Sequence, residues 1–413
     1  MTDIRNYAVV TTAYWGFTLT DGALRMLVLL HFHTLGYSPL EVAFLFLFYE
    51  FFGIVTNLVG GWIAARLGLK TTLFGGLALQ IVALAMLAQL SPEWSRWTSV
   101  AYVMAAQALS GIAKDLTKMS SKSAIKLVVP QNAESALFKW VAILTGSKNA
   151  LKGAGFFLGG LLLATLGFVD ALYAMAAALA VVLAGAVTML PRGMGKSKSK
   201  AKFSAIFSKS REINILSAAR FFLFASRDVW FVVGLPVFLY ATLGWSFTEV
   251  GGFLALWVIG YGMVQSVAPK IMARRGAPDG PTARNWAFLL AAIQVGIVAA
   301  LAFELDPAVS VVTGLLIFGI AFALNSSLHS YLILSYSDAD KVALNVGFYY
   351  MANAGGRLVG TVLSGLAYQQ WGLVGCLWFS VGLVLCAALL SMLLPAGTAR
   401  AVAADDLAAA AGE

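Results

Sequence analysis

The sequence predicts an all-α membrane protein of twelve transmembrane helices, laid out as two parallel six-helix pseudo-repeats. Composition, the spacing of apolar runs and a repeated segment predict it. Of 413 residues, 60% are hydrophobic and only 11% are charged. A soluble domain carries roughly a quarter charged residues, so a cytosolic enzyme, a nucleic-acid-binding domain and a secreted disulfide scaffold are excluded. Apolar runs recur from Tyr7 to Leu394, each near the ~20 residues that span a bilayer. The third observation is the repeat described below.

The first span, near 7–31, follows Arg5 and is too long for the apolar core of a cleaved signal. The next five lie near 41–64, 71–90, 98–119, 137–166 and 170–190. The second six lie near 213–242, 248–270, 285–303, 308–334, 343–368 and 373–394. Short connectors (His33–Leu40, Ser91–Trp97, Gly167–Asp170, Leu243–Thr248, Glu304–Pro307, Gln369–Gly372) alternate with basic ones. The short set holds only Arg96. The other set holds Arg66, Lys70, Lys118, Lys122, Lys126, seven basic residues from Arg192 to Arg211, then Lys270, Arg274, Arg275, Arg284, Lys341 and Arg400. Basic loops stay in the cytoplasm, so both termini are expected there. The net charge of +9 and pI near 9.5 therefore report topology rather than nucleic acid. Trp94, Trp97, Trp245 and Trp371 fall at the opposite interface, as an aromatic belt would.

The expected organisation is a six-helix half over 1–190, a basic cytoplasmic linker over 191–212, a second half over 213–395 and a cytoplasmic tail over 396–413. The segment "TLGYSPLEVAFLF…WIAARLG" from Thr34 aligns without a gap on "TLGWSFTEVGGFLA…KIMARRG" from Thr242, with about eleven of thirty-five positions identical. The matches include Gly36/Gly244, Ser38/Ser246, Glu41/Glu249, Arg66/Arg274 and Gly68/Gly276, which apolar composition alone does not produce. Six spans separate the copies, so they run in the same direction. Parallel halves of this kind are the arrangement of the major facilitator superfamily. "GGWIAARLGLK" (Gly60–Lys70) resembles that superfamily's signature after the second helix. Ala65 and Ala273 stand where the usual acidic residue would be.

Charges within the spans carry the functional reading. Asp21 and Arg25 lie on span 1, Glu50 on span 2, and Lys114, Asp115 and Lys118 on span 4. Lys148 and Lys152 lie on span 5, Arg220, Arg227 and Asp228 on span 7, and Arg357 on span 11. A charge at mid-bilayer is costly and faces a cavity or a partner. Pairing Asp21 with Arg25, Asp115 with Lys114 and Asp228 with Arg227 leaves Lys148, Lys152, Arg357 and one arginine of span 7 in excess. Such an excess implies an anionic guest, with Arg offering a bidentate fork and Lys a point charge. The expected guest is a small polyanion in a central midplane cavity. Arg25, Lys148, Lys152, Arg227 and Arg357 would bind it, and Lys114 and Arg220 would line the path from the cytoplasm. Asp21, Glu50, Asp115 and Asp228 are the proton-coupling candidates.

Other signals are weaker. His31 and His33 sit on opposed faces of a helix end, and no metal-ligand spacing, phosphate loop or catalytic triad arrangement occurs. His329 near Asn325 reads equally as a pore-lining or a core group. Cys376 and Cys386 lie ten residues apart on one span and project apart at ~100° per residue, so no disulfide is expected. No cofactor is implied. Without a catalytic motif or a sizeable soluble domain, a membrane enzyme or receptor is disfavoured.

Four long segments carry a closer resemblance. "YWGFTLTDGALRMLVLLHFHTLGYSPLEVAFLFLFYEFFGIVTNLVGGW" (Tyr14–Trp62), "AAQALSGIAKDLTKMSSKSAIKL" (Ala105–Leu127), "LTGSKNALKGAGFFLGG" (Leu144–Gly160) and "FSKSREINILSAARFFLFASRDVWFVVGLPVF" (Phe207–Phe238) are similar to the ArsJ organoarsenical efflux permeases of the same superfamily. The resemblance extends to about Ser391. It implies export of 1-arseno-3-phosphoglycerate across a bacterial cytoplasmic membrane, conferring arsenate resistance. It also implies a functional link to a glyceraldehyde-3-phosphate dehydrogenase that makes the ester. A trivalent arsenic site would need soft thiolates, whereas a phosphate–arsenate ester is a hard oxyanion suited to Arg and Lys. Arg25 and Arg227 also resemble, by helix, the paired arginines of organophosphate antiporters. The alternative is therefore an organophosphate or inorganic-anion antiporter unrelated to arsenic. Membrane lipid is the expected surrounding partner and a monomer the expected state.

Overall fold

The computed structural model describes residues 2–125, 134–191, 210–273, 279–337 and 342–396. Most of the basic linker, Lys126, Arg274, Arg275, Lys341 and the tail with Arg400 lie outside the described residues. So do the side chains of Arg66, Lys122 and Lys270.

Among the described residues every regular element is helical. Helix α1 (Thr2–Thr34) forms the first span, and α2 (Pro39–Leu45) and α3 (Leu47–Leu67) form the second. Then come α4 (Leu69–Ala88), α5 (Arg96–Ile125) and α6 (Glu134–Met189). Helix α7 (Arg211–Phe231) continues through α8 (Gly234–Val237) and a π-helical turn, Phe238–Thr242. Helices α9 (Phe247–Ala273), α10 (Gly280–Ala302), α11 (Pro307–Ser335) and α12 (Val342–Ser391) complete the chain. Apolar helices that satisfy their own backbone are what a bilayer demands.

Two expected connectors are not loops. Gly167–Asp170 and Gln369–Gly372 lie inside α6 and α12, each broken at one residue, Gly167 (φ 77°) and Gly372 (φ 62°). A side chain disfavours the left-handed region and glycine does not, so one residue suffices for the break. Eight stretches are long and apolar enough to cross a membrane, and two of these, Ser147–Met189 and Asn345–Ser391, are long enough to cross twice. With α1 and α5, the helices that carry the Asp21/Arg25 and Lys114/Asp115/Lys118 charges, the spans number twelve.

The internal repeat is visible atom by atom at its turns. Gly36 and Gly244 both take positive φ, 78° and 71°. After each, a serine and a glutamate form a capping box. Ser38 N donates to Glu41 Oε2 and Ser246 N to Glu249 Oε2, both at 2.7 Å. Glu41 N and Glu249 N donate back to the serine Oγ atoms, both at 3.3 Å.

The chain forms two compact units. One comprises Met1–Tyr37, Phe44–Phe203 and Ser246–Ile259; the other comprises Ser38–Ala43, Ser204–Trp245 and Gly260–Glu413. The same device holds a helix pair together in each. In the first, a Cβ at Gly155 or Gly159 of α6 would collide with the Leu19 or Ala23 carbonyl of α1. In the second, a Cβ at Gly356 or Gly360 of α12 would collide with the Phe221 or Ala225 carbonyl of α7. Small-xxx-small contacts of this type let membrane helices approach to backbone distance. Large apolar side chains such as Val181, Leu256, Met263 and Leu389 remain exposed along the spans, the surface that acyl chains cover. Cys376 and Cys386 are free thiols.

Candidate functional site

In the first unit the charges form one connected cluster on α1, α3 and α5. Gly111 of α5 sits where any Cβ would meet the Tyr49 carbonyl at 2.6 Å, so α3 and α5 lie close enough for their polar side chains to meet. Arg25 Nη2 donates to Glu50 Oε1 at 3.1 Å, and both side chains are nearly sealed, at 11% and 1% exposed. The guanidinium lies 5.1 Å from the Phe46 ring and 5.6 Å from the Tyr49 ring. Tyr49 in turn donates its hydroxyl to both Asp21 oxygens, at 2.8 and 3.0 Å. Lys114 places its ammonium 4.0 Å from the centre of the same ring. One turn on, Lys118 Nζ pairs with Asp115 Oδ1 at 2.9 Å and donates to Asn57 Oδ1 at 2.8 Å. Thr56 Oγ1 donates to the other Asp115 oxygen.

These contacts correct the sequence pairing. Asp21 does not hold Arg25; the hydroxyl of Tyr49 takes Asp21, and Glu50 takes Arg25. Asp115 is held by Lys118 on the same helix, with Lys114 close enough to act on its charge. The sequence paired Asp21 with its i,i+4 neighbour Arg25, but both side chains reach across to α3 instead, Asp21 to Tyr49 and Arg25 to Glu50. Lys148 and Lys152 are not solitary cations either, since both interact with neighbours. Lys152 Nζ lies 5.8 Å from the Phe156 ring. The neighbouring contact that fixes α6 here is Trp15 Nε1 to Ser147 Oγ, at 3.0 Å.

In the second unit, Asp228 is the hub. It pairs with Arg227 through Oδ1 and with Arg357 Nε through Oδ2, at 3.3 Å. Arg357 was expected to be unmatched; the close packing of Gly356 and Gly360 on α7 brings it to Asp228 instead. Arg227 stacks over aromatic rings, 4.7 Å from Phe224 and 5.6 Å from Phe322. Arg220, two turns earlier on α7, donates Nε to Asn353 Oδ1 at 2.9 Å and Nη1 to the Ser326 carbonyl and hydroxyl, each at 3.0 Å.

The glycine contacts set a common register for the two arginines. Arg25 follows Ala23 by two residues on α1, and Arg227 follows Ala225 by two on α7, each helix clamped at that alanine by the equivalent glycine. Each guanidinium lies over aromatic rings and is matched by one buried carboxylate. The scaffold repeats while the decoration differs. Lys152 precedes Gly155 by three residues, and the position three before Gly356 is Asn353.

Thr56, Asn57, Ser326 and Asn353 escaped the sequence reading, and Tyr49 read there as a packing aromatic, because neutral polar residues on an apolar span give no charge signal. A visible hint was their adjacency: Tyr49 precedes Glu50 and Ser326 follows Asn325. His31 stacks on Phe168 at 3.9 Å and belongs to a largely apolar cavity of about 440 Å³ lined also by Leu35, Leu90 and Leu166, which is no seat for a polyanion. Among the described residues no group of three His, Cys, Asp or Glu is placed to hold a metal.

Residues 9–360 match the Major Facilitator Superfamily. No curated protein matches the chain significantly. Among solved structures, the nucleoside transporter NupG is similar at TM-score 0.71 and 14% identity, with 95% of this chain and 98% of that chain covered. A bacterial homologue of the iron transporter ferroportin, in an outward-facing state with soaked iron, is similar at TM-score 0.65 and 15% identity, covering 94% and 98%. At such identities the likeness is one of fold, and it agrees with the twelve spans and the paired repeats. The chain belongs to the major facilitator superfamily and is a multi-pass membrane transporter rather than an enzyme.

Proposed function

We propose that this transporter exports an anionic organoarsenical, 1-arseno-3-phosphoglycerate, by alternating access, and that it thereby confers arsenate resistance. One observation carries the reading: Arg25 and Arg227 occupy the same register in the two repeats, each stacked on aromatic rings and each balanced by a single buried carboxylate. A phosphate- or arsenate-type group suits such a fork, since guanidinium matches its oxygens bidentately. Cations exceed carboxylates in each half. Arg25, Lys114, Lys118, Lys148 and Lys152 stand against Asp21, Glu50 and Asp115, and Arg220, Arg227 and Arg357 stand against Asp228. With Cys376 and Cys386 ten residues apart on one helix, the chain suits an oxyanion ester better than a thiophilic arsenic species. Asp21, Glu50, Asp115 and Asp228 are the carboxylates on which a coupled proton would ride. The proposed setting is a bacterial cytoplasmic membrane with both termini inside, beside a glyceraldehyde-3-phosphate dehydrogenase that supplies the ester.

Everted membrane vesicles test it. Arsenic should accumulate only when arsenate, glyceraldehyde 3-phosphate, NAD and the dehydrogenase are all supplied. Transport of glyceraldehyde 3-phosphate or a sugar phosphate with no dependence on arsenate would replace this reading with the organophosphate antiporter. Absence of both would overturn the anion reading of the Arg25/Arg227 register.

A further inference from the structure

Arg220 differs from Arg227 and Arg357, the other guanidiniums of the span-7 and span-11 cluster. It is 5% exposed, and its partners are the Asn353 amide, the Ser326 carbonyl and hydroxyl, and the rings of Phe224 and Tyr349 at 4.0 and 5.0 Å. All are neutral. Among the described residues no carboxylate pairs with Arg220, and its Nη2 has no acceptor. A guanidinium does not deprotonate in proteins, and a buried charge without a counter-charge is strongly unfavourable.

Beside Ser326 on α11 lie Asn325 and, one turn on, His329, both buried, at 0% and 1% exposed. The Asn325 amide nitrogen and oxygen and His329 Nδ1 have no hydrogen-bond partner among the described residues. Polar atoms buried in this way each cost stability, and three of them within one turn is not a pattern that packing explains. Tyr261 and Gln265 of α9 hold the Ser326 hydroxyl from the other side, at 3.1 and 3.4 Å. The serine thus acts as an anchored acceptor for Arg220.

We infer that Arg220, Ser326, Asn325, His329 and Asn353 form an oxyanion subsite within the second half. It would take one tetrahedral phosphate- or arsenate-type group, separately from the Arg227–Asp228–Arg357 cluster. The anion supplies the counter-charge that Arg220 lacks, while the Asn325 amide and a His329 ring N–H supply neutral donors. Asp228 already engages both Arg227 and Arg357, whereas Arg220 pairs with no carboxylate among the described residues. The inference rests on the proposed function only for the sign of the substrate's charge, and it would hold equally for a phosphorylated substrate without arsenic.

Thermal unfolding of the purified full chain in lipid nanodiscs tests it, with inorganic phosphate as the probe, 3-phosphoglycerate in a second arm and chloride as control. Phosphate should raise the Tm saturably, and chloride should not. A stronger shift with 3-phosphoglycerate than with phosphate identifies an ester headgroup as the guest; equal shifts identify the free ion. Arg220→Gln should weaken phosphate by about tenfold or more, the scale of charge-assisted hydrogen bonds, and Arg220→Lys by less. Should Arg220→Gln not fold, Asn325→Leu keeps the test decisive. It should raise the Tm without anion, because a buried unpartnered amide is removed, and diminish the phosphate shift. Asp228→Asn should retain that shift. The inference is overturned by an unresponsive wild type, or by a shift that persists undiminished in Arg220→Gln and Asn325→Leu. Failure of arsenic export with the shift intact counts against the proposed function and leaves this subsite standing.

Discussion

At the residue scale, the buried ion pairs decide which substitutions are severe. Glu50 is fully buried and matched to Arg25 at 3.1 Å. Removing one member of such a pair strands the other charge and costs about 3–5 kcal/mol. Glu50→Leu should therefore lower the thermal midpoint sharply in detergent. Replacing both, Arg25→Met with Glu50→Leu, should return most of that stability, because two apolar groups strand nothing. Transport should not return, since the proposed anion contact is gone; recovery of export in the double variant would remove Arg25 from the site. Arg227→Gln and Lys152→Gln should abolish arsenate resistance with membrane abundance unchanged, measured by growth on arsenate beside immunoblots of membranes. The charged residues at stake were legible in the sequence by type and span. Their partners were not, because Arg25 and Glu50 are twenty-five positions apart and only the approach of α3 to α1 and α5 selects one carboxylate over another.

At the element scale, glycine placement fixes how closely helices pack. Gly155 and Gly356 face carbonyl oxygens of α1 and α7, and backbone cannot yield as a flexible side chain can. Gly155→Ala and Gly356→Ala should each cost about 1–3 kcal/mol through overpacking. Gly185 and Gly296 have nothing within 4 Å of a would-be Cβ. Gly185→Ala and Gly296→Ala should be neutral or gain up to about 1 kcal/mol from helix propensity. Midpoints of the four purified variants check the ordering; equal effects at all four would mean that the glycines set no interhelical distance. A cation also closes one helix end. Lys70 Nζ donates to the Leu190 carbonyl at 2.8 Å, a cation at the C-terminal end of α6 where it complements the free carbonyls.

At the scale of the whole molecule, the distribution of Lys and Arg among connectors predicts orientation. In a Cys376→Ala, Cys386→Ala background, a cysteine at Glu93 should react with an impermeant maleimide in intact cells. A cysteine at Ser199, in the basic linker, should react only after permeabilisation. The reverse labelling would invert the topology and, with it, the direction assigned to transport. Arg96, alone among the short connectors as a basic residue, is no exception to the charge rule in its role. It donates to the Gly36 carbonyl at 2.9 Å and covers the Tyr37 ring at 4.8 Å, so it ties two connectors together.

The sequence by itself determined the class of protein, the twelve spans and the paired halves. Those depend on apolar run length and on turn residues such as Gly36 and Gly244, and both are properties of contiguous chain. It also located the charges by helix, while the register of Arg25 with Arg227 came from the glycine contacts of the structure. Only the tertiary structure decided which carboxylate answers which cation and where two spans meet at a single glycine. It alone revealed that, among the described residues, Arg220 is held by neutral partners. The reason is physical: pairing in a low-dielectric interior is settled by distances between helices, which are set by close contacts such as Gly111 on Tyr49 and Gly356 on Phe221, between residues remote in the chain.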